Sequence, residues 1–469
     1  MQHERRRALT ATLALLSVGA VTGAVFLVAA GPDRQPVAAP AADARCVTAA
    51  FPGEAETVAP TPPTASASLF PTVTPSIPGS TLFPGLPDPA GWTGVWATAM
   101  QDLSDREPSG LSNLGGQTLR QVVHPTLGGT RFRIRLANTF GTEPLRLSRV
   151  TAGVSVGTGR PGLRPGTEHP VTFGGTQDVE IPPGGRAISD PVDQSFEAGQ
   201  SLAVDVVPQG SAPAVSGHSR SASSSYRASG NHAGQVSGSA FGRPVRSWFW
   251  LEGVDVPDPA GIGAISTFGD SITEGMWSTP DTDRRWPDLL AVRMRREAVT
   301  SGVGVLNEGI GGNRVVSENL SCVSPSASGL RRFDRDVLSR PDVRVVVLAL
   351  GINDIGSGTP ASTVIDGLKT LAERAHEHGL RVVGATLTPF TCARGCLSPE
   401  KEQQRELVND WIRTAPELDA RVDLAAALAD PADPDRMRPA YDSGDHLHPG
   451  DAGMQAMADA FDLRSLVGR

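Results

Sequence analysis

The chain of 469 residues has little of what marks metal or nucleic-acid binding. Its four cysteines and nine histidines form no close set of the kind that zinc requires, so we expect no metal and no cofactor. Only Lys369 and Lys401 are lysines, and the formal net charge of −8 argues against non-specific affinity for nucleic acids. What the chain has in abundance is 52 glycines and 39 prolines.

The N-terminus predicts export. Arg5, Arg6 and Arg7 precede an uncharged, largely apolar stretch over residues 8–32, so we interpret residues 1–32 as a signal peptide or a membrane anchor. Cleavage after Ala30 would suit a signal peptide, whereas the length of the apolar run would suit an anchor. In both cases the body of the protein is expected outside the cell, secreted or attached to the outer face of the membrane. Residues 33–90 are rich in Pro, Ala, Ser and Thr, which predicts a disordered linker.

The four cysteines are consistent with disulfide formation in an oxidising compartment. Cys392 and Cys396 are close enough in sequence to close a small disulfide loop, which would leave Cys46 and Cys322 as the other pair. Four cysteines nevertheless allow three connectivities, and these stay open.

Residues 91–256 have the pattern of an all-β domain. Phe132, Ile134 and Leu136 alternate with arginines at 131, 133 and 135, as in a strand with one face in the core. Gly- and Pro-rich turns separate several such runs, so we predict a β-sandwich of the jelly-roll kind. The stripe formed by Arg131, Arg133 and Arg135 is interpreted as a solvated strand face rather than a binding surface.

Residues 257–469 change character. Apolar runs that look like buried strands alternate with helical segments, for example the strand at residues 343–350 followed by the helix at 361–378. Strands that alternate with helices predict a parallel sheet covered on both faces, an α/β/α sandwich of three layers.

Polar residues follow these predicted strands where catalytic groups are expected, at the carboxyl ends. Ser271 follows the first strand, Gly312 lies after the second, and Asn353 comes after the third. Asp445 and His448 lie in the loop before the last helix. A serine at a strand end, with Asp and His elsewhere, is what a nucleophilic hydrolase requires.

This ordered set resembles the SGNH hydrolases, also called the GDSL family of esterases and lipases. The segments that match are Gly-Asp-Ser at 269–271, Asn-Glu-Gly-Ile-Gly-Gly at 307–312, Gly-Ile-Asn-Asp at 351–354 and Asp-His-Leu-His at 445–448. The resemblance covers about residues 261–463 and implies a flavodoxin-like fold. The segment before it, residues 92–250, also resembles the β-sandwich module of some secreted bacterial members.

The resemblance implies a role for each residue. Ser271 is the nucleophile, His448 the general base and acid, and Asp445 the group that orients the imidazole. The backbone N–H groups of Ser271 and Gly312 and the amide of Asn353 are the expected oxyanion hole. Several neighbours are expected to be structural: Asp270, Asp354 and Asp442 brace their loops, Trp286 lies in the core, and His446 is structural or at the substrate rim.

The sequence therefore predicts an extracellular serine esterase that acts on a glycan, lipid or small ester, with a carbohydrate acetyl ester favoured. The alternatives are a lipase, phospholipase or arylesterase, a serine peptidase, or a cell-surface binding protein with a vestigial site. A monomer is expected, tethered to the membrane or associated with the cell wall, with no nucleic-acid partner.

Overall fold

The structure is a computed structural model that describes residues 91–104, 113–258, 261–320, 324–391 and 398–468. These residues all belong to one compact unit. The predicted export segment, the predicted linker and all four cysteines lie outside the described residues, so the predictions on them stay predictions. Within the described ranges, no helix is both long and apolar enough to cross a membrane.

The first part of the described chain is built from antiparallel strands, as predicted, and we call it the β-rich region. Its strands are β1 (Trp92–Ala97), β2 (Gln101–Asp102), β3 (Gln117–Val123), β4 (Arg133–Ala137), β5 (Leu145–Val154), β6 (His169–Val171), β7 (Val179–Ile181), β8 (Arg186–Ile188), β9 (Leu202–Pro208), β10 (Ser216–His218), β11 (Tyr226–Ser229), β12 (Trp248–Phe249) and β13 (Leu251–Pro257).

These strands form three sheets. One has the order β1-β13-β4-β8, a second β12-β10-β2, and a third β11-β3-β9-β5-β6, with β7 paired to β5. In the first sheet, Trp92 at the start of β1 lies opposite Pro257 at the end of β13. The inner faces of the sheets enclose a core that includes Phe132, Ile134 and Leu136, each fully buried as predicted.

The prediction of a solvated arginine face is wrong for two of its three members. Arg133 and Arg135 are buried, and each places its Nε within 2.8 Å of the same carboxylate oxygen of Asp255. The guanidinium of Arg133 also lies over the Trp92 ring, 4.6 Å from its centroid. Of the three, only Arg131 is partly exposed, with 43% of its side chain accessible. Alternation along a strand identifies its two faces, but here other parts of the chain cover the second face as well.

The second part is an α/β sandwich around a parallel sheet of five strands, β14 (Ala264–Gly269), β15 (Gly304–Gly309), β16 (Val343–Ala349), β17 (Arg381–Ala385) and β18 (Ala420–Val422). Their order is β15-β14-β16-β17-β18, the flavodoxin-like 2-1-3-4-5 arrangement, which confirms the predicted fold class. Strand β16 is apolar apart from Arg344 near its start, because both faces of a parallel sheet are covered.

Helices connect and cover these strands. They are α1 (Ser271–Glu274), α2 (Trp286–Met294), α3 (Gly329–Phe333), α4 (Ile352–Gly356), α5 (Ala361–Glu377), α6 (Pro399–Thr414), α7 (Leu424–Leu428), α8 (Asp451–Asp459) and α9 (Leu463–Val467), with a π-helical turn at Asp334–Leu338 after α3. Helices α2, α7 and α8 pack together, and α3, α4, α5 and α6 form a second group. A short antiparallel hairpin, β19 (Ala429–Asp430) and β20 (Asp433–Met437), follows α7.

The β-rich region covers the edge strand β15. Gly94 and Gly304 let the backbones of β1 and β15 approach closely, since a Cβ on Gly304 would lie 2.3 Å from the Gly94 carbonyl oxygen. The Thr126 hydroxyl accepts from the N–H of Val305 at 3.0 Å and lies 3.2 Å from its carbonyl oxygen. Backbone groups at this edge of the sheet therefore find partners in the β-rich region rather than in solvent.

A buried arginine also joins the two parts. Arg340 contacts both carboxylate oxygens of Glu308 on β15, at 2.7 and 3.2 Å, and donates to the Thr98 carbonyl at 3.0 Å. Its Nη1 lies 3.7 Å from Oε1 of Glu252 on β13, which is also paired with Arg186. The side chains of Arg340, Glu308 and Glu252 are each at most 2% exposed, so these charges depend on one another for compensation.

Candidate active site

A tight strand-to-helix turn presents Ser271. Strand β14 ends at Gly269, where a Cβ would lie 2.0 Å from the Thr273 hydroxyl, so glycine is needed for the turn. Asp270 caps helix α1 by accepting from the N–H of Ile272 at 2.9 Å, as predicted for a bracing residue. Ser271 is therefore fixed at the carboxyl end of the first strand of the sheet.

The structure brings together Ser271, His448 and Asp445. The Ser271 hydroxyl is 2.8 Å from His448 Nε2, and His448 Nδ1 is 2.6 Å from Asp445 Oδ2. Asp445 Oδ1 accepts from the N–H groups of Leu447 and His448 at 3.0 and 2.8 Å, so the loop holds the carboxylate in place. Ser271 and His448 are buried, and the hydrogen bonds form a continuous chain from hydroxyl to imidazole to carboxylate.

The electrostatics of Asp445 suit this arrangement. Burial raises the pKa of the Asp445 carboxyl. The hydrogen bond from the His448 ring, the charge of that ring and the backbone N–H groups of His448 and Leu447 lower this pKa by a larger amount. The net result is a pKa well below the usual range, so the carboxylate remains ionised next to the imidazole. An acceptor at Nδ1 favours the tautomer whose Nε2 can take the serine proton.

The remaining predicted site residues follow the carboxyl ends of β15 and β16. Gly312 follows β15 with φ of +70°, and a Cβ there would meet the Asn319 amide nitrogen at 2.4 Å. Asn353 is the second residue of helix α4 and donates through Nδ2 to the Asn313 carbonyl at 3.0 Å. That bond ties Asn353 to the loop that carries Gly312.

Two carboxyls beside these residues have raised pKa values. Burial raises the pKa of Asp270 to about 7, with Asp354 and Glu274 adding to the shift and the Ile272 N–H opposing it. Burial also raises the pKa of Asp354, which accepts from the N–H of Val315 at 2.8 Å and thereby holds the loop after β15. Both residues brace loops, as expected from the sequence.

The structure also places three residues that the sequence analysis expects to be structural or at the substrate rim, namely Trp286, His446 and Asp442. Trp286 is fully buried and stacks on Phe461, which confirms its place in the core. His446 is more than half exposed and lies outside the Ser271–His448–Asp445 chain, with its Nδ1 2.5 Å from Asp442 Oδ2. Asp442 also accepts from the N–H groups of Gly444 and His446 and thus organises this loop.

Sequence reasoning missed three residues around the site. The Trp277 indole N–H donates to Asp445 Oδ2 at 2.8 Å. Glu274, at the end of α1, is buried 3.3 Å from Nε2 of His218, which belongs to the β-rich region. Trp277 lies six residues after Ser271, and that proximity was a usable signal, whereas nothing in the sequence places His218 next to Glu274.

Comparison with known proteins identifies the second part of the chain. Residues 267–456, which include Ser271, Gly312, Asn353, Asp445 and His448, match the model of the GDSL-like Lipase/Acylhydrolase family.

Residues 267–456 form a GDSL-like lipase/acylhydrolase domain.

The sequence resemblance to this family is thereby confirmed, and members of the family are acylhydrolases. No curated protein matches the chain.

Solved structures of GDSL hydrolases and esterases are similar to this chain at low identity. A carbohydrate acetylesterase family member from Sinorhizobium meliloti is 18% identical, covering 44% of this chain and 99% of its own, with a TM-score of 0.35. A GDSL-like lipase from Bacteroides thetaiotaomicron VPI-5482 is 18% identical, covering 42% and 84%, with a TM-score of 0.31. The acetyl xylan esterase AlAXEase is 20% identical, covering 42% and 96%, with a TM-score of 0.31.

Proposed function

We propose that the protein is a serine esterase that hydrolyses carboxylic esters through Ser271, His448 and Asp445. The observation that carries the proposal is the continuous hydrogen-bond chain from the Ser271 hydroxyl through both nitrogens of His448 to Asp445. A hydroxyl in that position loses its proton to the imidazole as it attacks, and the adjacent carboxylate stabilises the imidazolium that forms.

The reaction follows from this geometry. Ser271 Oγ bonds to the ester carbonyl carbon while His448 Nε2 takes its proton, and the carbonyl oxygen becomes an oxyanion. The N–H groups of Ser271 and Gly312 and the amide of Asn353 are the proposed donors to that oxyanion. The alcohol then leaves with the proton from Nε2, giving an acyl-enzyme. Water attacks the acyl-enzyme with His448 again as base, which releases the acid and regenerates Ser271.

The proposed substrate class is a carbohydrate acetyl ester. The exposed residues next to the triad include Trp277, which is 52% exposed, and His446. An aromatic ring flanked by hydrogen-bonding groups suits a sugar, which presents apolar C–H faces and hydroxyls. A lipase, phospholipase or arylesterase would use the same triad, so aryl esters of increasing acyl length are needed as competing substrates.

The test compares esters and variants in one design. Wild type, Ser271→Ala and His448→Ala are assayed on 4-nitrophenyl esters of increasing acyl length and on acetylated glycans. Either substitution is expected to abolish hydrolysis, because the triad acts as a unit. His376→Ala is the matched control, since it removes a histidine on α5 that contacts Asp419 and is outside the hydrogen-bond chain. Near-wild-type turnover in Ser271→Ala, with its fold intact, would refute the assignment.

The proposed location is outside the cell, and it rests on the arginines and the apolar stretch within residues 1–32. Cell fractionation of the native host, followed by N-terminal sequencing of the recovered protein, tests it. A protein that begins near residue 31 indicates a cleaved signal peptide, and an intact N-terminus in the membrane fraction indicates an anchor. Recovery in the cytoplasm alone would contradict export.

A further inference from the structure

The carboxylate of Asp445 receives a hydrogen bond from outside its own loop. Its Oδ1 accepts from the N–H groups of Leu447 and His448 and from the Ser443 hydroxyl at 3.2 Å. Its Oδ2 accepts from His448 Nδ1 at 2.6 Å and from the Trp277 indole N–H at 2.8 Å. The oxygen that faces the imidazole is therefore shared between His448 and Trp277.

Trp277 lies in a loop with an unusual backbone. In the seven residues from 277 to 283, Trp277, Asp281 and Asp283 have φ values of +67°, +61° and +53°. Residues other than glycine are uncommon in this left-handed region, and bulky residues are the rarest there. Such conformations persist only where surrounding contacts hold them. The loop conformation that places the indole against Asp445 must therefore be held by contacts elsewhere.

The β-rich region supplies several of those contacts. The Ser224 N–H and hydroxyl donate to the two carboxylate oxygens of Asp281, at 2.6 and 2.7 Å. The N–H of Asp281 donates to the Ala222 carbonyl at 2.9 Å, and His124 pairs with Asp283. The β-rich region therefore forms hydrogen bonds or an ion pair with two of the three left-handed residues, Asp281 and Asp283.

The catalytic half of the molecule holds the other end of the loop. The N–H and hydroxyl of Thr279 donate to the carboxylate of Asp451 at 2.8 and 2.6 Å. Asp451 is the first residue of α8, three residues after His448. The loop from 277 to 283 is therefore fixed both to the β-rich region and to the helix that follows the His448 loop.

We propose that Trp277 is a positioning residue that orients the Asp445 carboxylate toward His448, and that the β-rich region sets its position through Ser224 and Asp281. The proposal rests on the triad function given above. Without the indole N–H, Oδ2 keeps only its bond to the imidazole, and the carboxylate can rotate about the bonds made by Oδ1. The imidazole then spends less time in the orientation that accepts the Ser271 proton.

The first test replaces Trp277 with Phe, which keeps an aromatic ring and removes the N–H. With 4-nitrophenyl acetate as probe, kcat is expected to fall about tenfold with little change in KM, the usual scale for losing one hydrogen bond to a charged group. The low-field proton NMR signal of the bond between His448 and Asp445 should also shift. Trp277→His restores a ring N–H donor and should recover part of the loss. Trp411→Phe, on helix α6, is the control.

The second test acts from the β-rich region and leaves Trp277 in place. Ser224→Ala removes one of the two bonds to Asp281 and is expected to lower kcat about threefold, again with KM unchanged. Ser155→Ala is the matched control, a buried serine of the same region whose hydroxyl donates to the Gly157 carbonyl at 3.0 Å. A drop in kcat for Ser224→Ala but not for Ser155→Ala supports the link between the two regions.

The outcomes separate this proposal from the esterase function. Loss of activity in Ser271→Ala, together with wild-type kcat and an unchanged NMR signal in Trp277→Phe, would overturn the positioning role alone. A change in KM for 4-nitrophenyl acetate with kcat unchanged would overturn it too, because Trp277 would then act only as a substrate contact. Wild-type kcat in Ser224→Ala would overturn the control by the β-rich region. Retained activity in Ser271→Ala would instead refute the proposed function.

Discussion

Replacing Arg340 with Met tests whether the β-rich region and the hydrolase domain form one folding unit. The substitution keeps most of the side-chain volume but removes the cation from between Glu308 on β15 and Glu252 on β13. It also removes the hydrogen bond to the Thr98 carbonyl in the β-rich region. Glu252 keeps Arg186, whereas Glu308 loses the partner that contacts both of its oxygens.

The expected cost follows from burial. Removing one partner of a buried ion pair typically destabilises a protein by about 3–5 kcal/mol, because a charge is left without compensation. Burial raises the pKa of Glu308 to about 7 even with Arg340 opposing the shift, so in the variant this carboxyl takes up a proton. Protonation limits the loss, and we expect about 3 kcal/mol. At about 2 cal/mol/K of unfolding entropy per residue, that lowers the Tm of a unit of this size by roughly 4 °C.

Differential scanning calorimetry of both proteins provides the measurement. Arg344→Met is the matched control, since Arg344 lies four residues away in a pair with Asp342 and its side chain is 58% exposed. A surface pair contributes about 1 kcal/mol or less, so the control should melt within roughly 1 °C of wild type. If Arg340→Met had the same Tm as Arg344→Met, the reasoning would be refuted. Two transitions, of which only one shifts, would show instead that the regions unfold separately.

Three further predictions use other parts of the structure. Asn353→Ala should lower kcat by roughly a hundredfold while KM changes little, since a proposed oxyanion donor acts only in the transition state; an effect on KM alone in steady-state kinetics would contradict that role. Because the pKa of Asp270 is raised to about 7 in the fold, its stabilising contribution is present at low pH and lost as pH rises from about 4 to 7. The free energy of unfolding of wild type should therefore fall over this window by up to about 4 kcal/mol relative to Asp270→Asn, and parallel urea-denaturation profiles would exclude the shift. A fragment of residues 257–469 should be poorly soluble and inactive on 4-nitrophenyl acetate, because β15 and Glu308 lose the groups that cover them; a soluble, active fragment with a cooperative melt would show that it folds alone.

Much of the hydrolase domain could be predicted because its signals are local. The helix predicted at residues 361–378 is observed at Ala361–Glu377, because its apolar residues recur at helical spacing along one buried face. The Ser271, Asn353 and His448 loops were found because each follows a strand-like run or carries a family motif. Short elements were not predicted. Strand β18 has three residues and the hairpin β19–β20 has little apolar patterning, so neither shows the alternation of apolar and polar residues that indicates a strand.

What could not be predicted depends on contacts between distant segments. The pairs formed by Arg133 and Arg135 with Asp255 join residues about 120 positions apart, and nothing at 255 indicates its partners. The link between Ser224 and Asp281 is of the same kind. Periodicity tells which residues share a face, but which segment covers that face is decided by the tertiary fold.

The pairing of Trp92 with Pro257 has a mechanical consequence. Because β1 and β13 are antiparallel and these residues lie opposite each other, the chain enters and leaves the β-rich region at the same point. If the protein is tethered through its N-terminal segment, a force applied at Trp92 acts against Pro257, where the chain continues into the hydrolase domain. Tension between these two points would unzip the pair one hydrogen bond at a time, which needs less force than shearing all of them together. The contacts of β1 with β15, behind this junction, are then what resists the load.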